Sequence, residues 1–285
     1  MKVVAIIIGV ILLLLFAASA AAWAQRLRHE RAVDAVWTGL AGSATADAAA
    51  LPDAGTVFDP AMVDGLPEPA RRWLLRSIMP GATLARAVEF RMHGTLRLDD
   101  AAPYAMTAEQ ILAPPHGFVW RARVSRGPVR IRGYDRYAAG AGELRWWAYG
   151  LLPVVTDAGP DVSRSAAGRL AGEAALLPSM LLPQHGAAWE AVDDDVARAT
   201  LAIDDEPVTF LIDVAPDGRL RRVTIRRWNG DPANGDVGFM QFVVDFEGER
   251  QFDGYRLPRQ MVAGWRRDGV VRPFFEAELD SAVFH

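Results

Sequence analysis

Glu173 sits in the run AGRLAGEAALL, a single acid among small apolar residues. On a helix such a carboxylate is half-buried and needs a cation, and Arg169 lies one turn back. Without that partner it would keep its proton and could serve as an acid, a base or a ligand contact. Glu109 and Gln110 pose the same question in a strand, where neighbouring side chains point to opposite faces. If Glu109 faces inward it is a carboxylate with a raised pKa; if outward, it meets Arg121 or Arg123 of the next strand. His185 is the third titratable candidate. Trp120, Trp146, Trp147 and Trp189 could line an apolar cavity, although filling a core is the ordinary work of tryptophan. These seven residues are the candidate ligand contacts, and none is assigned a catalytic role.

Other chemistry is missing from the sequence. There is no cysteine, hence no disulfide, thiolate metal site or cysteine nucleophile. G-x-S-x-G, H-E-x-x-H and the glycine-rich phosphate loops do not occur. His93, His116 and His185 are far apart, and Asp193, Asp194 and Asp195 suit a solvated turn better than a calcium loop. No metal and no cofactor is expected, and the sequence leans away from an enzyme. Past Arg31, 27 arginines stand against 34 acidic residues. An acidic domain without a dense basic stripe is a poor nucleic-acid binder. Arginine so far in excess of lysine, with abundant alanine, is the habit of a GC-rich bacterial genome.

The elements that would position the candidates begin with a membrane segment. Residues 3–24 (VVAIIIGVILLLLFAASAAAWA) carry no charge. As a helix they span about 33 Å, close to one bilayer core. Trp23 suits the interface, and Arg26, Arg28 and Arg31 can reach headgroups. A cleaved signal peptide is the rival, since Ala22-Trp23-Ala24 fits an A-x-A cleavage site. Three arginines at a new N-terminus would hinder export, which favours a retained anchor. By charge alone the excess of arginine after the span would hold the domain in the cytoplasm.

The expected organisation is an anchor and juxtamembrane segment (1–31), a helical extension and linker (32–57), and one β domain (58–285). Val33, Val36, Trp37 and Leu40 continue a helical spacing, and residues 42–56 read as a tether. A short helix over 67–79 and another over 161–177, with Asp161 as N-cap, are the only helices expected in the domain. Eleven strands are expected, from the period-2 run at 88–98 to the last at 270–284. Asp217-Gly218, Asp253-Gly254 and Asp268-Gly269 mark tight turns between strands. Short turns throughout argue for an antiparallel meander, and a sheet this long must curl. The fold class is mainly β (α+β): a strongly curved antiparallel half-barrel, its concave side plugged by two or so helices.

Three blocks carry a family resemblance: TAEQI at 107–111, PPHGFVW at 114–120 and LLPQHGAAW at 181–189. They resemble an uncharacterised bacterial family of membrane-anchored domains of unknown function. That resemblance implies a single-pass inner-membrane protein with an extracytoplasmic domain, and it brings no activity. The hairpins DVAPDGRLRRV at 213–223 and FEGERQFDGYRLP at 246–258 are similar to those of periplasmic carriers of the lipoprotein-localisation type. That likeness implies a half-barrel holding acyl chains under a helical lid. Such carriers are commonly free or lipid-anchored through a cysteine, which this chain lacks. The expected function is a non-catalytic envelope domain binding a lipid or other apolar ligand in the concave face of its sheet. The alternatives are an enzyme using Glu109 or Glu173, and a protein-interaction scaffold.

Overall fold

The computed structural model describes residues 2–50, 57–99, 101–232 and 236–285. It opens with a 49-residue helix, α1 (Lys2–Ala50). The large apolar side chains described in its first 23 residues are exposed, among them Ile6, Leu12, Phe16 and Trp23, because no part of the protein covers them. Further along, Val33 and Leu40 are buried against the sheet. The helix thus runs through residue 42, where a tether was expected, and on to Ala50. Residues 51–56, the rest of that expected tether, lie outside the described residues.

A short helix, α2 (Glu68–Ser77), follows, with Pro69 in its first turn as the fixed φ of proline allows. The strands are β1 (Val88–Leu96), β2 (Tyr104–Ala113), β3 (Gly117–Arg126), β4 (Val129–Ala138), β5 (Ala141–Ala148) and β6 (Leu152–Ala158). Then come the helix α3 (Pro160–Glu173) and three 3₁₀ turns, the last ending at His185. The chain finishes with β7 (Ala188–Ala191), β8 (Val196–Ile203), β9 (Glu206–Val214), β10 (Leu220–Asn229), β11 (Gly238–Phe252), β12 (Tyr255–Arg267) and β13 (Val270–Phe284).

All thirteen strands form one sheet in the order β6-β5-β4-β3-β2-β1-β13-β12-β11-β10-β9-β8-β7. Every described pairing is antiparallel, as connections of two to eight residues between sequential neighbours require. The two strands beyond the expected eleven are β6 and β7, the outermost of the sheet. Every residue of β6 is exposed, so it has no alternation to read, and β7 has only four residues. Gly159, not Asp161, caps α3, and Asp161 falls in its first turn.

This order explains the curvature. α3 and its 3₁₀ turns join the two edges of the sheet, so this segment must cross the space between them. In crossing, α3 touches β3, β4, β5 and β6 on one wing and β8, β9 and β10 on the other. The sheet wraps around it without closing. Gly168 and Gly172 let the helix lie close on β10: a Cβ at Gly168 would meet Arg227 at 3.2 Å. The main core lies here, with Leu170, Leu177, Phe90, Phe118 and Phe210 buried. A second cluster lies on the convex face, where Val33 and Leu40 of α1 cover Ile111, Val119, Tyr134 and Trp147.

Candidate functional site

Pleating decides which candidates meet. The register places Gln110 beside Trp120 and Trp120 beside Asp135, so all three share one face. That face is concave, since Gln110 donates to Glu173 of α3 at 2.6 Å and is only 3% exposed. Arg169 donates from Nε to Glu173 at 2.7 Å and from a terminal nitrogen to Asp135 at 3.1 Å. Trp146 donates from its indole to Asp135 at 3.0 Å. The Arg169 guanidinium also lies over the rings of Phe118 and Trp120, 4.5 and 5.2 Å from their centroids. From the other wing Arg227 donates to the Ser165 carbonyl at 2.9 Å and stacks on Phe242 and Trp265.

The centre of the half-barrel therefore holds two guanidiniums, two carboxylates and a floor of aromatic rings. Burial pushes the Asp135 carboxyl above its usual range, against the pull of Arg169. Burial also draws Arg227 down to about 10, and the neighbouring charge on Arg169 adds to this. Burial opposes the charge on Arg169 as well, but Glu173 and Asp135 outweigh it and hold its pKa above the ordinary value. Buried charges persist only when paired and hydrogen-bonded, and each carboxylate here is held by Arg169. With that occupation the cluster works as a clasp between α3 and β4. The indole nitrogen of Trp120 is buried in this face without a hydrogen-bond partner.

The other candidates lie elsewhere. Glu109 projects from the convex face toward Arg121 at 3.6 Å, its side chain 48% exposed, so it cannot meet Glu173. Trp147 follows Trp146 in β5 and points the opposite way, packing on Tyr134 and His29 beside α1. His185 lies in the last 3₁₀ turn and donates from Nδ1 to the Ser179 carbonyl at 2.7 Å. Burial holds its pKa below the ordinary value. Trp189 donates to the Leu181 carbonyl at 2.9 Å and packs on Trp73. His185 and Trp189 fix the path of the chain back into β7, away from the charged centre. Asp193–Asp195 form the expected turn, and Asp195 accepts from Arg72 at 2.7 Å. Among the described residues no three His, Asp or Glu side chains converge as a cation site would need.

Asp135 and Arg227 complete the centre and were not singled out from sequence, whereas Gln110, weighed there beside Glu109, is the one of that pair that faces inward. A signal existed for Asp135: it alternates with Gly133 and Tyr137, which puts an acid on the inner face of a strand. Its partner, 34 residues away on a helix, is not visible from the strand alone.

α3 packs on β3–β6 and β8–β10 of the concave face, and a row of apolar side chains stands at the end nearest the membrane segment. There Val129, Ile131, Phe242, Phe274 and Phe275 are only half-buried. Register and hydrogen bonds set these positions on one rim. Leu96 pairs with Tyr104 and with Phe275, Ile131 pairs with Ala148, and Gly150, just past β5, accepts from Arg26 of α1.

No curated protein matches the sequence. Solved structures similar in fold include the following two. An outer membrane lipoprotein-sorting protein domain from Vibrio parahaemolyticus is 9% identical, covering 70% of this chain and 85% of that one, with a TM-score of 0.36. A LolA superfamily protein from Nitrosomonas europaea is 9% identical, covering 76% of this chain and 92% of that one, with a TM-score of 0.39. The profile of DUF6544, a family of unknown function, matches residues 56–277, from just before the first described residue of the sheet domain into β13. That span takes in twelve strands entire and both helices that follow α1, so the chain belongs to the DUF6544 family of unknown function.

Proposed function

We propose that this protein is a non-catalytic, membrane-anchored domain of the bacterial cell envelope that takes an acyl chain or another apolar ligand into the concave face of its sheet. Residues 3–24 hold it in the inner membrane, the sheet domain occupies 58–285, and the domain faces the extracytoplasmic side. One observation carries the reading. Val129, Ile131, Phe242, Phe274 and Phe275 form a half-buried rim of the concave face on the side of the anchor, apolar but for Arg227 over Phe242. Aromatic and aliphatic walls around a concavity are what an apolar ligand requires. The paired carboxylates speak against the enzyme alternative, because an acid or base must be free to reach a substrate.

The test is mass spectrometry of the full chain extracted from membranes in mild detergent and exchanged into a second detergent. A stoichiometric lipid retained through the exchange supports the reading. A protein that emerges empty, and that takes up no added fatty acid or phospholipid, overturns it.

A further inference from the structure

Among the described residues the β5–β6 hairpin carries the densest run of exposed large apolar side chains in the sheet. Its turn is Tyr149-Gly150, both at positive φ, closed by a hydrogen bond from Leu151 to Ala148. Glycine or asparagine is usual at such positions, and an aromatic side chain there is strained. Tyr149 is nonetheless held 59% exposed, followed by Leu152 at 62% and by exposed Leu151, Val154 and Val155. An apolar edge strand open to water is a liability that proteins blunt with charge or proline; Pro153 limits strand pairing here but leaves the apolar side chains exposed. The first charge in this one is Asp157, beyond the apolar stretch.

The hairpin is fixed to the membrane segment. Arg26, two residues past the uncharged span, donates to the Gly150 carbonyl. Between α1 and the convex face lies a groove of about 510 Å³, lined by Arg26, Arg123, Arg130 and Arg132 together with Tyr149 and Gly150. Against these four guanidiniums stands one carboxylate, Glu30, which pairs with Arg26 and Arg132. Arg123 and Arg132 lie directly opposite each other on β3 and β4, where like charges repel. The domain past Arg31 has more acids than arginines, so this is a local concentration of positive charge rather than a general one. The Nε of Arg26 is buried with no hydrogen bond and only a 3.4 Å ion pair to Glu30.

We infer that this end of the domain rests in the headgroup region of the bilayer that holds α1. The apolar hairpin enters the interface, and the arginine groove binds the phosphate of an anionic phospholipid. Continuity with the anchor argues for that occupant: α1 leaves the bilayer core at about the level of the hairpin tip. An interfacial tyrosine, aliphatic neighbours and flanking arginines are the residue types that such a depth selects. The inference rests on the membrane-anchor reading but not on a ligand in the concave face.

The chain has no cysteine, so a single one can be labelled without background. The full chain carrying Leu152→Cys with a nitrobenzoxadiazole label would be reconstituted in vesicles of phosphatidylcholine, with and without phosphatidylglycerol. Asp194→Cys, in the turn beside α2 at the opposite end of the strands, is the control. The expected result is a blue-shifted label at 152, quenched by nitroxide lipids, and a solvent-like label at 194. A label at 152 as solvent-like as that at 194 overturns the inference, even if lipid still co-purifies. The signal at 152 should also titrate with phosphatidylglycerol. Arg123→Gln and Arg130→Gln, both exposed, should each raise the fraction needed for half of that change about five-fold. An unchanged titration in these variants overturns the headgroup site. So does an equal response to inorganic phosphate in phosphatidylcholine alone, which would mark a site for soluble anions.

Discussion

Arg169 of α3 reaches Asp135 of β4 at 3.1 Å while holding Glu173 of its own helix at 2.7 Å. One guanidinium thus answers two buried carboxylates and fastens the crossing helix to the wing it has just left. Replacing it with a residue of similar length, as in Arg169→Met, leaves two acids buried without the cation that hydrogen-bonds them, Arg227 being the charge that remains nearby. Breaking a buried pair in this way costs about 3–5 kcal/mol. Urea unfolding of the full chain in detergent, followed by tryptophan fluorescence, should show a loss of that size. Asp135→Asn should cost less, since Arg169 keeps Glu173.

From pH 7.5 to pH 5 two histidines whose pKa burial lowers, His29 and His185, should set the pH response, and His185 is the more deeply buried. Burial lowers its pKa in the folded state, so below about 6.5 the unfolded chain binds a proton that the folded chain resists. Its contribution to stability is therefore fully present at pH 7 and falls as the pH drops from 6.5 toward the depressed folded value. His185→Gln can still donate toward the Ser179 carbonyl and should flatten that slope. Unfolding midpoints at intervals from pH 7.5 to pH 5 would show it, and an equal slope in both proteins would refute the assignment. Asp135 acts in the opposite sense: its raised pKa makes the folded state the better proton binder above 3.8, so its contribution falls as the pH rises.

Much of this architecture was legible where one face of a strand is dry and the other wet. β1 alternates in this way, and the Asp253-Gly254 and Asp268-Gly269 turns adopt the positive φ that their sequence announces. β6 was illegible because both its faces are exposed. Trp146 and Trp147 show a subtler limit. Both belong to buried aromatic clusters, but adjacent residues in a strand face opposite ways, and only the docking of α1 on the convex face reveals why both are buried. The charged centre was half visible: Glu173 and Arg169 share a helix turn, whereas Gln110, Asp135 and Arg227 arrive from strands that only the curled sheet brings near.

The stretch of α1 beyond the span should behave as a docked stalk. Val33 is 1% exposed and packs in one cluster with Ile111 and Trp147. Val33→Asp would bury a carboxylate there without a partner, which costs several kcal/mol and favours release of the helix from the sheet. The expected outcome is faster proteolysis between residues 25 and 50 with circular dichroism of the β domain unchanged. Protection equal to that of the parent protein would show that the helix needs no such docking.

Entry of a ligand at the open rim makes a sharper demand. Ile131 and Phe275 both project into the concave face, from β4 and β13, and neither is fully buried. Their place at the rim means that a charge there can reach water, so Ile131→Glu or Phe275→Arg should cost about 1 kcal/mol in stability, well short of the 2–5 kcal/mol of a truncated core residue. The same charge would stand in the path of an acyl chain, whose burial is worth about 0.8 kcal/mol per methylene. Loss of only three methylene contacts then lowers affinity by roughly fifty-fold. Retained lipid, measured by mass spectrometry after detergent exchange, should fall to trace levels in either variant. A matched charge on the convex face away from the arginine groove, Thr209→Glu, should leave it unchanged. If the rim variants and the convex variant retain equal lipid, the ligand does not pass this rim, and any apolar guest must enter elsewhere around α3.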